Sequence, residues 1–358
     1  MDVFQIRTTD AKSETWNLLG LFSKEDCVVK SLSGTMGGLS SSELKEKAFC
    51  INQCVNQAKE YYIAAESVSL LTKPLMLYYG MYSLAKALIF LSNPKVDLNE
   101  LRHHGLIAPT ISDNPDRIME GKVRTHGEGV FYHLNKCVSV NHCVLKANEV
   151  GVETTTVEVP FDTLCSEPSK GQVFGLKELL TYVPELFDLF RLLSRRNPTL
   201  LKIDVDLQRN ISDNLSRLMA IYKPDKGTIT SESICRSFPE IIANKERFVE
   251  ESDALVFERS MPHGAWTALL PKRLVQSMSQ ELFLLLPDKP IADINVHFAV
   301  MFLLGFVVRY KPPLWHEILA TANGNMIERL LITSQSKFPH LILNEMLQKI
   351  VVFGSPLW

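Results

Sequence analysis

The stretch Pro74–Leu91, PLMLYYGMYSLAKALIFL, decides the fold. Its one charged residue is Lys86. Leu, Met and Ala favour helix, Thr72 stands where a cap belongs, and Pro74 fits the first turn. Asn93-Pro94 stops the pattern. A helix apolar on nearly every side must be covered all round. A bundle with this helix at its centre is therefore expected, and a second copy could share in covering it, which makes a homo-oligomer the expectation.

Upstream, Leu44, Ala48, Ile51, Val55, Ala58, Tyr62 and Ala65 step by three and four and predict an amphipathic helix capped by Ser41 or Ser42. The first forty residues read as an irregular lead-in, with Ser31–Ser42 as a loop. Downstream, Ile294–Tyr310 predicts a buried helix. After Pro312-Pro313, Leu314–Ala320, Met326–Thr333 and Pro339–Phe353 complete the bundle. Between these ends the periodicity changes. Gly129–Leu134, His142–Ala147, Thr154–Phe161, Leu200–Leu207 and Ala254–Ser260 read as strands. Leu176–Leu193 reads as a helix that Pro184 kinks or divides, and Ile211–Tyr222 as a further helix. The expected class is mainly α (α+β): a helical bundle carrying a small inserted β lobe. The expected segments are 1–98, 99–170, 171–289 and 290–358.

The chain has 358 residues, 22% of them charged, and a formal net charge of -2. No global field draws in nucleic acid or an anionic membrane, although a local basic patch can hide within a neutral total. The seven cysteines are irregularly spaced and form no C-x-x-C, which points to free thiols in a reducing compartment. The polar segment Met1–Asp10 does not read as a signal peptide, and the apolar run Phe298–Val308 is short for a span of about 20 residues. A cytoplasmic protein with no membrane association is expected.

No Walker A loop, G-x-G-x-x-G, G-x-S-x-G or H-E-x-x-H occurs. The glycine-rich Gly34–Gly38 lacks the lysine of a phosphate loop and reads as a connector. His103 and His104 are adjacent and cannot both face one metal, so no metal site or cofactor is expected. A polar turn with one bonded histidine is the plainer reading. Arg102, His104, Lys122 and Arg124 are candidate phosphate contacts, weighed against solvated surface. Arg195-Arg196 is basic as well. A pocket lined by His103, His104, Arg124 or His126 is a third possibility. Arg309 and His316 are the sharper pair. An arginine could hold a scissile phosphate while a histidine moves the proton in RNA cleavage. The plain alternative is that Arg309 closes a helix and His316 lies on a polar face.

Two resemblances follow from these stretches. AAESVSLLTKPLMLYYGMYSLAKALIFL (Ala64–Leu91), HHGL (His103–Leu106) and LLGFVVRYKPPLW (Leu303–Trp315) resemble the YaaC-like family of bacterial proteins. YYGMYSLAKALIF (Tyr78–Phe90) is similar to the second helix of HEPN domains, helical bundles of prokaryotic nucleotide-binding, toxin and phage-defence proteins. Many HEPN members are metal-independent ribonucleases with an Arg, four to six intervening residues and a His, a spacing that Arg309 and His316 match at its upper limit. Tyr310 and Pro312-Pro313 depart from the usual pattern. The resemblance implies an HEPN-like bundle and either a ribonuclease of stress or phage defence acting through Arg309 and His316, or a non-catalytic module. The latter would bind a nucleotide, RNA or a partner protein.

Overall fold

The structure is a computed structural model. It describes residues 1–35, 40–150, 154–194, 200–212, 215–224, 247–251, 254–261, 273–285 and 291–354. Arg195-Arg196 and residues 36–38 of the glycine-rich stretch lie outside these. The helices are α1 (Ala11–Leu19), α2 (Glu25–Thr35), α3 (Ser41–Ser67), α4 (Lys73–Ser92), α5 (Val130–Cys137), α6 (Leu176–Leu180), α7 (Phe187–Ser194), α8 (Asp293–Tyr310), α9 (Pro312–Leu319) and α10 (Ala322–Leu347). The strands are β1 (Asp2–Arg7), β2 (Leu106–Thr110), β3 (Lys122–Thr125), β4 (Val140–Val150), β5 (Thr154–Leu164), β6 (Val173–Gly175), β7 (Leu200–Ser212), β8 (Leu215–Pro224), β9 (Arg247–Glu251), β10 (Ala254–Met261), β11 (Leu274–Gln276), β12 (Leu282–Leu285) and β13 (Lys349–Gly354). The fold is mixed α+β and mainly helical. Its contacts divide it into a helical unit (4–139, 167–189, 291–358) and a β unit (1–3, 140–166, 190–290).

In the helical unit, α4 is the hub. It packs on α3, α5, α8 and α10, and buries residues on every side, from Leu77 and Tyr78 to Ile89 and Phe90. The predicted stripe of α3 is buried from Ala48 to Ala65. Ser40, one residue before the expected cap, starts α3: its hydroxyl accepts the Glu43 N–H and the Glu43 carboxylate accepts the Ser40 N–H, a reciprocal capping box. Helices α4 and α8 are long and apolar enough to cross a membrane, but 61% and 78% of their apolar windows is buried inside the protein, as in core helices. On α9, Trp315 donates its indole N–H to Leu70 O at 3.1 Å. A three-stranded sheet, β2-β3-β6, also belongs to this unit.

The β unit is built on β7. One edge of β7 pairs along its length with β8. Elsewhere Leu200–Ile203 pair with β12, and Leu207–Asn210 run parallel to β4. Strand β4 forms a long hairpin with β5. The Gln276 side chain on β11 accepts the Val144 N–H and donates to the Val144 carbonyl, both at 2.9 Å. An amide side chain thereby stands in for a peptide group and ties β11 to β4.

Several local expectations give way to tertiary context. Gly129–Leu134 is not a strand but the start of α5, because the carbonyls of His103 and His104 accept the N–H groups of Val130 and Phe131 and cap a helix there. Residues 215–222 are strand rather than helix, since β8 is paired on both edges, to β7 and β10. The lead-in holds α1 and α2 rather than irregular chain. The expected helices at 326–333 and 339–353 merge into α10, which continues through Pro339, and the last residues form β13 beside β1. Pro184 does divide the expected helix, which becomes α6, a 3-10 turn at Pro184–Leu186 and α7.

A buried ionic cluster locks this unit. Lys337 on α10, 2% exposed, donates to Asp293 on α8 at 2.6 Å and to Glu185 at 3.1 Å. Burial disfavours its charge, but the two carboxylates outweigh burial and hold the ammonium above the ordinary lysine value. Burial likewise opposes ionisation of Asp293, yet Lys337 and His297 hold its carboxyl below the usual range, at about 2. Removing one partner of such a group strands the others in low dielectric. Lys337→Met should therefore cost about 3–5 kcal/mol in urea-induced unfolding. Stability from Asp293 should be complete above its ordinary value of 3.8 and be lost as pH falls from there towards about 2.

Candidate functional site

The candidate site is a cleft of about 200 Å³ in the helical unit. Tyr78 from α4, Phe302, Gly305 and Phe306 from α8, and Leu106 from β2 form its walls, and His104, Arg309 and Tyr310 line it as well. The sequence builds it in two ways. On α8, Phe302, Phe306 and Tyr310 recur every four residues and share one face. Gly305, between the first two, faces α4: a Cβ there would meet the Tyr78 Cβ at 3.4 Å, an ordinary van der Waals contact.

His104 is fixed by its backbone. Its carbonyl and that of His103 cap α5, while His126 N–H bonds Gly105 O at 2.9 Å. Gly105 has φ +78° and no room for a side chain, since its Cβ would sit 2.6 Å from Phe131 N. Gly129, at φ +90°, meets the His103 carbonyl equally closely. A glycine on each side of the junction is thus required for the loop to press against α5. The imidazole packs among Tyr78, Tyr82 and Phe302, with ring centroids 5.3–5.6 Å away. Its Nδ1 lies 2.7 Å from the Tyr78 hydroxyl.

The electrostatics assign the proton. Burial pushes the Tyr78 phenol well above its ordinary value, so it stays protonated and donates to Nδ1. Burial, then the nearby Lys86 and His103, lower the His104 value from 6.5. At neutral pH the ring is neutral, accepts at Nδ1 and carries its proton on Nε2. Lys86 is itself half-buried, held over the Tyr82 ring at 4.5 Å, with its own value lowered by burial.

Arg309 closes α8 at the mouth. Its guanidinium lies over the Tyr79 ring at 5.1 Å and 5.6 Å from the Tyr310 ring, and bonds the Tyr79 hydroxyl. Tyr79 in turn stacks on Tyr61, with centroids 5.5 Å apart. The guanidinium is exposed but held in place by these rings.

Of the residues singled out from sequence, Arg309 and His104 meet at this cleft. His316 is exposed on α9 and does not line it. Arg102 is exposed in the turn before His103. Lys122 and Arg124 are exposed on β3, and Arg124 pairs with Ile107, so it shares the face opposite Leu106. The aromatic walls were legible only as core pattern; the spacing of Phe302, Phe306 and Tyr310 leading to an Arg at the helix end was the available signal.

A second constellation has the composition of a proton relay. Ser334 Oγ lies 2.7 Å from Nδ1 of His297, whose Nε2 is 3.4 Å from Asp293. Ser334 and His297 are 0% exposed and Asp293 5%. No substrate reaches that serine, and the line belongs to the buried Lys337 cluster. Among the described residues, no group of three or more His, Cys, Asp or Glu side chains is placed to hold a metal.

These features lie in a chain whose residues 24–346 match the YaaC-like protein family, and the chain belongs to that family. Searches of curated proteins and of solved structures return no match.

In an NMR titration, His104 should change protonation below pH 6.5. Its midpoint should rise in Lys86→Gln, which removes a neighbouring cation.

Proposed function

We propose that this protein is a nucleotide-binding module of HEPN-like type. Its cleft takes one nucleobase between the aromatic walls and places the adjacent phosphate on Arg309. The observation that carries the reading is the convergence of a guanidinium and a neutral imidazole N–H on an aromatic slot of about 200 Å³. That volume lies below the 300–1,000 Å³ of drug-sized sites, and suits a single ring system. Aromatic faces stack any base, a contact worth about 1–3 kcal/mol. Arginine binds phosphate through paired N–H donors. The formal charge of -2 favours a single nucleotide, or one unpaired RNA residue, over a long polyanion.

The test is calorimetric titration with 5′-AMP. Arg309→Ala should weaken binding by about 10- to 100-fold, the range expected for a charge-assisted bond of about 1.5–3 kcal/mol. Adenosine should bind the variant and the wild type alike. Equal affinity of AMP for both proteins would sink the proposal. Titration with single-stranded RNA in EDTA separates binding from cleavage. Cleavage lost in Arg309→Ala/His316→Ala would add a metal-independent ribonuclease activity, with Arg309 on the phosphate and His316 moving the proton.

A further inference from the structure

Three helices of the helical unit end at one cavity of about 660 Å³. Helix α4 ends there at Ser92, α5 at Cys137 and α10 at Leu347. The last carbonyls of a helix have no partner within it, and its C-terminus carries about half a negative elementary charge. A basic residue in the last turn answers that charge. Lys136 does so on α5, but the last turns of α4 and α10 hold no basic residue. The end of α10 shows what it attracts: Gln348, exposed just beyond it, turns a side-chain N–H back onto the Glu345 carbonyl at 2.8 Å. Beyond α4, the Lys47 ammonium likewise donates to the Val96 carbonyl at 2.9 Å.

The side chains of the wall preserve this negative field. Glu345 is 7% exposed, so its charge acts through the low dielectric of the wall rather than by contact. Burial pushes the Cys137 thiol up to about 11; a hydrogen bond with Ser92 opposes the rise and the nearby Glu345 charge adds to it. The thiol is therefore neutral at neutral pH. Burial lowers the His133 value from 6.5, and Lys136 lowers it further against the pull of Glu100, so that imidazole is neutral as well. Lys136 holds its own ammonium over the Tyr132 ring at 4.3 Å. The open surface between the helix ends is apolar at half-exposed Leu91 and Leu347 and polar at exposed Ser92 and Gln348.

We propose that this cavity binds an aliphatic diamine. One ammonium meets the carbonyl end of α4, the other meets the carbonyl end of α10, and the hydrocarbon between them lies against Leu91 and Leu347. Each ammonium supplies the charge and the donors that these two helix ends lack. The volume falls in the usual range for small-molecule sites. This site shares no lining residue with the His104 cleft, so it stands or falls independently of the nucleotide proposal.

The experiment is calorimetry on the full chain with cadaverine, pentylamine and pentanoate, which share a chain length and differ in charge. Cadaverine should bind about fivefold more tightly than pentylamine, the worth of a second ammonium at a helix C-terminus. Pentanoate should not bind. Gln348→Lys changes an exposed residue and puts the protein's own ammonium at the end of α10. It should weaken cadaverine about fivefold and, without ligand, raise the melting temperature. Absence of cadaverine binding to the wild type would overturn the proposal. So would pentanoate binding as tightly as cadaverine, or cadaverine binding undiminished in Gln348→Lys. A lowered melting temperature in that variant would also overturn it, since the end of α10 would then not favour a cation.

Discussion

Helix α4 has almost no face that it can give to water, and the helical unit is arranged around that constraint. Its residues are buried against α3, α5, α8 and α10. Burying an aliphatic side chain contributes about 1.5–3 kcal/mol, so leaving any of these sides open would expose a large apolar area. Gly80 sets how closely α3 approaches, because only glycine there admits the Tyr62 ring. The same close packing carries Tyr78 and Tyr79 to the α8 end, where Arg309 lies. The cleft lined by Tyr78, Phe302 and Arg309 is thus a consequence of covering α4, with one polar edge left at the seam.

The polar groups in this interior fall into two kinds. The Lys337, Asp293 and Glu185 cluster is closed, each charge answered by another, and it joins α8 to α10 and the 184–186 turn. Buried pairs of this kind add little net stability but make alternative packings costly. The Tyr78–His104 pair is half-open. One imidazole nitrogen is answered by the phenol, and the ring lines a cleft. Arg309 is also satisfied on the protein side, by π faces and one hydroxyl, which leaves further N–H donors for a ligand.

What was legible in the sequence was periodic and local. The α3 stripe, the apolar α4 and α8, the alternating β7, and the β-branched and aromatic stretches of β4 and β5 each declare themselves over a few turns or residues. Elements that depend on distant partners did not. Residues 215–222 could satisfy a helical pattern, and only pairing with β7 and β10 makes them a strand. Gly129–Leu134 has strand-like composition, but the His103 and His104 carbonyls supply a helix cap from a distant part of the chain. The site follows the same rule. Arg309 was visible as the charge that closes an apolar helix, and His104 as one histidine of a polar turn. That they share a cleft, while His316, Arg102, Lys122 and Arg124 lie away from it, depends on the α4–α8 contact and on the face that Leu106 takes in β2. Family membership rests on a match over residues 24–346, a span that takes in α3, α4 and α8.

The most direct measurement is a crystal structure of the protein soaked with 5′-AMP. The account predicts the adenine ring stacked within the cleft of Phe302, Phe306 and Tyr310, and the phosphate within about 3 Å of the Arg309 guanidinium. A phosphate bound at Lys122 and Arg124, or a base lying outside the cleft, would contradict it.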